Sequence, residues 1–215
     1  MKSLSVLLFM FCLSFALPSM ANQSKYVVQG QDYTRYDKPK ITSTNESQIE
    51  VIYFFWYGSD WAEKIDEELS QWVSSQTYPI KLIRSPVIFN YNNEYQILSA
   101  RIFFTLERLG LERSLGPLFM KAIHQKRVNP SSMKSILSWF EARGISEEDF
   151  LSSLNHDSTI VKTHALRHAM KNYEIVSSPT IVINGTYQIR AHEKNSPELV
   201  LGITKFMVEK LSEEL

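Results

Sequence analysis

Few residues of this chain combine side-chain type and spacing in a way that could do chemistry. The sharpest place is Ser59-Asp60-Trp61-Ala62, where an apolar run gives way to a helical pattern. A strand that feeds into a helix presents free N–H groups and a positive dipole end, which suits an anion or a reactive side chain. Ser59 as a nucleophile would need a base held by a third group. No G-x-S-x-G element is present, and none of the five histidines is near Ser59 in sequence. The residues fit a helix cap better: Ser and Asp are preferred caps, and Asp60 and Glu63 have capping-box-like spacing. Asp60 and Trp61 could also form a polar and aromatic contact patch for a partner.

His164 and His168 are four apart on a helical pattern, as metal-binding pairs are. No third ligand accompanies them, so neither a metal nor a cofactor is expected. The single cysteine, Cys12, lies in the apolar N-terminal stretch. A chain that sheds it has no sulfhydryl. Disulfide exchange, which needs an attacking thiolate, is then closed to it.

The elements that position Ser59 are readable. Val51-Ile52-Tyr53-Phe54-Phe55-Trp56-Tyr57 is apolar without alternation, the pattern of a strand covered on both faces. Gly58 breaks it. Trp61, Ile65, Leu69 and Trp72 then recur at helical spacing. Ile80 to Ile83 reads as a further strand, and Tyr26-Val27-Val28 as a short one before the central run. From Asn93 to about Tyr173 the periodicity is helical: Tyr95 to Leu109, then Leu118 to Lys126 with Pro117 at its start. Ser131 to Arg143 follows, with Gly144 as the stop. A short helix then begins at Ser146, and a longer one spans Ser158 to Tyr173. Thr180-Ile181-Val182-Ile183 is a strand, Asn184-Gly185 a hairpin turn and Thr186 to Arg190 its partner. Ser196-Pro197 opens the last helix, which runs to about Leu211.

The first twenty-one residues read as a secretory signal peptide. Lys2 begins it, Val6 to Leu17 forms its core, and cleavage is expected after Ala21. Removing them from 215 residues leaves 194, and loss of Lys2 takes the formal net charge from 0 to −1. That balance argues against nucleic acid as a partner, and no membrane contact is expected after cleavage. A chain of this length can bury an adequate core without disulfides.

The predicted order is β, β, α, β, about five helices, then β, β, α. This α/β layout is that of a thioredoxin fold with an inserted helical bundle. The expected divisions are a signal over residues 1–21, a thioredoxin-like first half over 22–92, a helical insertion over 93–173 and a second half over 174–215.

Across the mature chain this resembles the DsbA family of periplasmic thiol oxidases. Tyr26-x-x-x-Gly30-x-x-Tyr33 with Lys38-Pro39 is similar to the family's N-terminal segment, and Val51 to Phe55 to its central strand. Gly116-Pro117-Leu118-Phe119 and Ala142-Arg143-Gly144-Ile145 with Glu148-Asp149-Phe150 resemble parts of its insertion. Ser178-Pro179-Thr180 with Val182 to Gln188 resembles its cis-proline loop and hairpin.

The departure is at the active site. The family's Cys-x-x-Cys corresponds to Ser59-Asp60-Trp61-Ala62, and its buried acid in the central strand corresponds to Tyr53. The resemblance implies that the residue before the proline, Ser178, offers its backbone to an extended peptide in the manner of strand addition. Alternatively, the loop persists because the fold needs it.

The expectation is therefore a redox-inactive, DsbA-like periplasmic protein. It would be a monomer that binds extended or partly folded polypeptides near Ser59, Trp61, Ser178 and Pro179, as an adaptor, chaperone or assembly factor. The other reading is a non-thiol enzyme on the same scaffold. A thiol:disulfide interchange function would rest on homology alone.

Overall fold

The computed structural model describes residues 27–45 and 47–215. The expected signal and Tyr26 lie outside the described residues. The elements are β1 (Thr34–Arg35), β2 (Ile49–Phe55), α1 (Asp60–Ser75), β3 (Ile80–Pro86), α2 (Glu94–Arg108), α3 (Glu112–His124), α4 (Met133–Glu141), α5 (Glu147–Leu154), α6 (Asp157–Asn172), β4 (Thr180–Ile183), β5 (Tyr187–Arg190) and α7 (Pro197–Ser212). The five strands form one sheet in the order β1-β5-β4-β2-β3. β2 runs parallel to β3 and antiparallel to β4.

β2 is central because it can be buried on both faces. Ile49, Val51, Tyr53 and Phe55 point into the main core, which the helices close. Ile52 and Phe54 point into a smaller core with Tyr36, Val87, Met170, Ile175 and Val182. All seven residues of β2 are buried. The alternation of faces is that of any strand; the absence of polar alternation reflects apolar cover on both sides.

The caps follow the sequence closely. Ser132, Ser146 and Ser196 each accept the backbone N–H three residues on. The β4–β5 turn closes with Thr186 N–H on Ile183 C=O, with Asn184 and Gly185 both at positive φ. That conformation is the reason for the Asn-Gly pair.

Three expectations are corrected. Val27 and Val28 are not strand; the first strand is Thr34–Arg35, a two-residue edge that pairs with Tyr187 and Gln188. Its register comes from the distant hairpin, not from its own pattern. Pro117 does not start a helix: α3 begins at Glu112 and carries Pro117 inside. No side chain caps α3 at Leu111, so the start had no signal, and the proline was misplaced as one. Asp60 and Glu63 form no capping box. The cap is Ser59, and the position three residues on is Ala62, which has no carboxylate.

Candidate functional site

The junction between β2 and α1 is closed by hydrogen bonds. Ser59 Oγ accepts the Ala62 N–H at 3.2 Å, the N-cap bond of α1. The same hydroxyl donates to the Ser178 carbonyl at 3.1 Å. Ser178 Oγ in turn accepts the Trp56 N–H at 3.0 Å. The sequence-predicted residues Ser59 and Ser178, 119 positions apart, therefore meet. The Ser178–Pro179 peptide is cis. Pro179 is buried, and Ser178 and Trp61 are half-buried. Among the described residues no hydrogen bond or aromatic contact joins Trp61 to Ser178 or Pro179.

The Ser59 hydroxyl is therefore committed to structure. Its proton lies on a carbonyl and its lone pair on an amide, and no base contacts it. Tyr53 is fully buried and donates its hydroxyl to the Ala62 carbonyl at 3.1 Å. Burial pushes its hydroxyl well above the usual phenol range, with the Asp66 charge adding to this. It holds the helix start as a neutral donor.

Gly58 allows the turn to pass under Trp56, since a Cβ there would come within 2.5 Å of the indole ring. The Trp56 ring leans on Tyr95 of α2 at 5.6 Å between centroids. Ser178 N–H has no partner among the described residues. It is the main-chain donor next to the cis peptide that is left for an extended ligand.

Sequence reasoning missed His124, which reaches the site from the end of α3. Its Nδ1 is 3.0 Å from Asp60 Oδ1 and its Nε2 is 2.9 Å from the Tyr57 carbonyl. The ring thus ties the insertion to the start of α1. Its partner Asp60 is exposed and one residue past the cap, where a negative charge suits the helix dipole. His164 and His168 lie exposed on α6. Among the described residues no group of three His, Cys, Asp or Glu is placed to hold a metal ion.

Sequence reasoning also missed a buried charge cluster one level below. Arg84 Nη2 is 2.6 Å from Asp66 Oδ1, and Arg84 Nη1 is 3.0 Å from Glu112 Oε1. The second contact is ionic only, because its geometry makes no hydrogen bond. The guanidinium also lies over the Phe55 ring at 4.8 Å. Burial pushes Asp66 up to about 6 against the pull of Arg84. Burial also raises Glu112. Burial alone would lower Arg84, but the two carboxylates outweigh it and raise it. Gly116 makes room for the cluster, since a Cβ there would press on Glu112 and the Tyr57 hydroxyl.

A five-stranded mixed sheet, five helices between β3 and β4, and a proline loop facing the β2–α1 junction define a thioredoxin-like fold with a helical insertion. No protein-family model matches the chain. It is 23% identical over 197 residues to the thiol:disulfide interchange protein DsbA of Pseudomonas aeruginosa, covering 91% of this chain and 90% of that one. It is 24% identical to an uncharacterized protein of Haemophilus influenzae, covering 100% and 96%. The crystal structure of Pseudomonas aeruginosa DsbA matches with a TM-score of 0.73 at 23% identity, covering 85% and 93%. The chain thus has a thioredoxin-like fold and is similar to DsbA, and its sequence, with one cysteine, holds no Cys-x-x-Cys pair. No helix among the described residues is long and apolar enough to cross a membrane.

Proposed function

We propose that the mature chain is a redox-inactive periplasmic monomer that binds extended or partly folded polypeptides as an adaptor, chaperone or assembly factor. The observation that carries this reading is the Ser178 loop. Its amide is unpaired and its proline is kept, while Ser59 and Ala62 stand where thiols would react. An extended client pairs its main chain with Ser178 and rests a side chain on Trp61. The Ser59 hydroxyl already holds the Ser178 carbonyl, so the client relies on the Ser178 amide as its anchor. Similarity to the thiol:disulfide interchange protein named above supports a protein client. With Cys12 removed, no electron transfer to a dithiol can occur.

The test is fluorescence anisotropy of an unfolded, labelled reporter polypeptide with the purified mature chain and with Trp61→Ala and Ser178→Ala. The expected result is saturable binding that each change weakens. Binding that neither change alters would end this reading. An insulin-reduction assay on the same preparation should read zero.

A further inference from the structure

We infer that the chain has a second peptide site, a groove along the free edge of β3 that takes an extended polypeptide bearing an acidic side chain. It stands apart from the Ser178 loop and does not rest on the reading given for that loop.

The first observation is the edge itself. β3 is the outermost strand and pairs only with β2. Along the same register β2 is buried at all seven positions, whereas β3 is buried only at Pro86. Arg84 illustrates the difference. Its side chain is 7% exposed, yet the residue as a whole is half-buried, so part of what solvent reaches is its main chain. Unpaired edges are usually blunted by charge, proline or cover. Here Pro86 guards one end and Lys81 the other, and Lys81 is drawn aside to the Ser43 carbonyl and hydroxyl. Leu82, Ile83, Arg84 and Ser85 are left between them.

The second observation is that this edge faces a groove rather than open solvent. A cavity of about 880 Å³ runs beside Ile80 to Arg84, walled by α1 at Val73 and by α2 and its following turn at Phe103 and Gly110. Five strand residues offer about 17 Å of main chain. That suits a short extended segment paired through its backbone with alternate side chains turned to either wall. Arg84 and Glu112 line the groove, and Arg84 Nε is buried without an acceptor.

The third observation sets the sign of the ligand. Glu107 in the lining pairs with Lys162, and Glu112 faces Arg84, which it shares with Asp66 behind it. Lys81 and Arg113 also line the groove, are exposed, and form no salt bridge among the described residues, although Arg113 is near enough to Glu112 to pull its carboxyl down. The uncommitted charge at the mouth is positive, so an acidic side chain on the incoming strand is complementary.

The experiment uses five-residue peptides of alternating Val and Thr with a central Glu, Gln or Lys, and a Glu peptide N-methylated at alternate amides. Amide chemical shifts of the mature chain report the site. The Glu peptide should shift Ile80 to Arg84, with affinity in the order Glu, Gln, Lys and at least a ten-fold span. N-methylation on the pairing edge should weaken binding ten-fold or more. The double variant Lys81→Glu with Arg113→Glu, both at exposed positions and checked for folding by the same amide spectrum, should reverse the order. Trp61→Ala and Ser178→Ala should leave this binding unchanged. Shifts confined to the Ser178 loop would overturn the inference, as would equal binding of the N-methylated peptide or an order insensitive to the double variant. Sedimentation showing that β3 pairs with a second copy of the chain would overturn the choice of occupant.

Discussion

Helix α1 carries two polar clusters about two turns apart, and they have opposite characters. At its start, Ser59 is hydrogen-bonded on both sides, Tyr53 has its acceptor and Asp60 faces His124. Deeper in, Asp66 shares Arg84 with Glu112, and Asp66 Oδ2, Arg84 Nε and the Tyr57 hydroxyl are buried without hydrogen-bond partners. In the first cluster both hydroxyls are hydrogen-bonded and Asp60 lies 3.0 Å from the His124 ring. The second holds groups displaced from their ordinary protonation ranges, which is where strained electrostatics concentrate.

The largest expected effect would break this contrast outright. Arg84→Met leaves two buried carboxylates without a cation. Removing one partner of a buried pair costs about 3–5 kcal/mol. The loss should appear in urea unfolding at neutral pH and shrink at pH 5, where the raised carboxyls take up protons. A loss under about 1 kcal/mol would mean that water already solvates the cluster.

The next effect is the pH slope of Asp66. Its folded value, about 6, lies above the ordinary 3.8. A raised acid stabilises the fold when protonated. Its contribution is full below pH 3.8 and is lost as pH rises through about 6. The gap is worth about 3 kcal/mol in total. Asp66→Asn should remove that slope, so that the difference in urea midpoint between variant and parent changes across pH 4 to 6.5 and is flat above. An unchanged difference across that window would place Asp66 in water.

The same contrast explains what the sequence made legible. The β2 run, the Asn184-Gly185 turn and the serine caps are local devices, and each could be read from a few neighbouring residues. The fold followed, because the order of those elements admits little else. The resemblance singled out Ser59 and Ser178 as partners in one site. The charge cluster was not legible: Asp66, Arg84 and Glu112 come from three elements, and Asp66 looks like one more acid on an amphipathic helix. His124 is 67 residues from the carbonyl it binds, and no spacing rule connects them. β1 failed for the same reason, since a two-residue edge has no period of its own.

A smaller effect tests whether the helix start is only structural. Ser59→Ala removes the N-cap and the bond to the Ser178 carbonyl. Loss of a cap costs about 1 kcal/mol, visible as a lower midpoint in urea. The change also frees the Ser178 carbonyl to accept from a client, so reporter binding should tighten while stability falls. A fall in both would make the Ser59–Ser178 bond part of the binding surface itself.

The smallest effect concerns His124, and it separates a clamp from a passive contact. Both ring nitrogens face acceptors, the Tyr57 carbonyl and the Asp60 carboxylate. Asp60 is largely exposed, so the ionic half of this bridge is weak, a few tenths of a kcal/mol. The Tyr57 half adds an ordinary hydrogen bond of about 1 kcal/mol. His124→Ala should therefore lower stability by about 1 kcal/mol, and only a minor part of that should vanish in high salt. A double-mutant cycle with Asp60→Ala is expected to show a coupling of a few tenths of a kcal/mol. If no coupling is seen, Asp60 is not a partner of the ring. The tie between α3 and the start of α1 then reduces to a single hydrogen bond, and Asp60 is left free to meet a client.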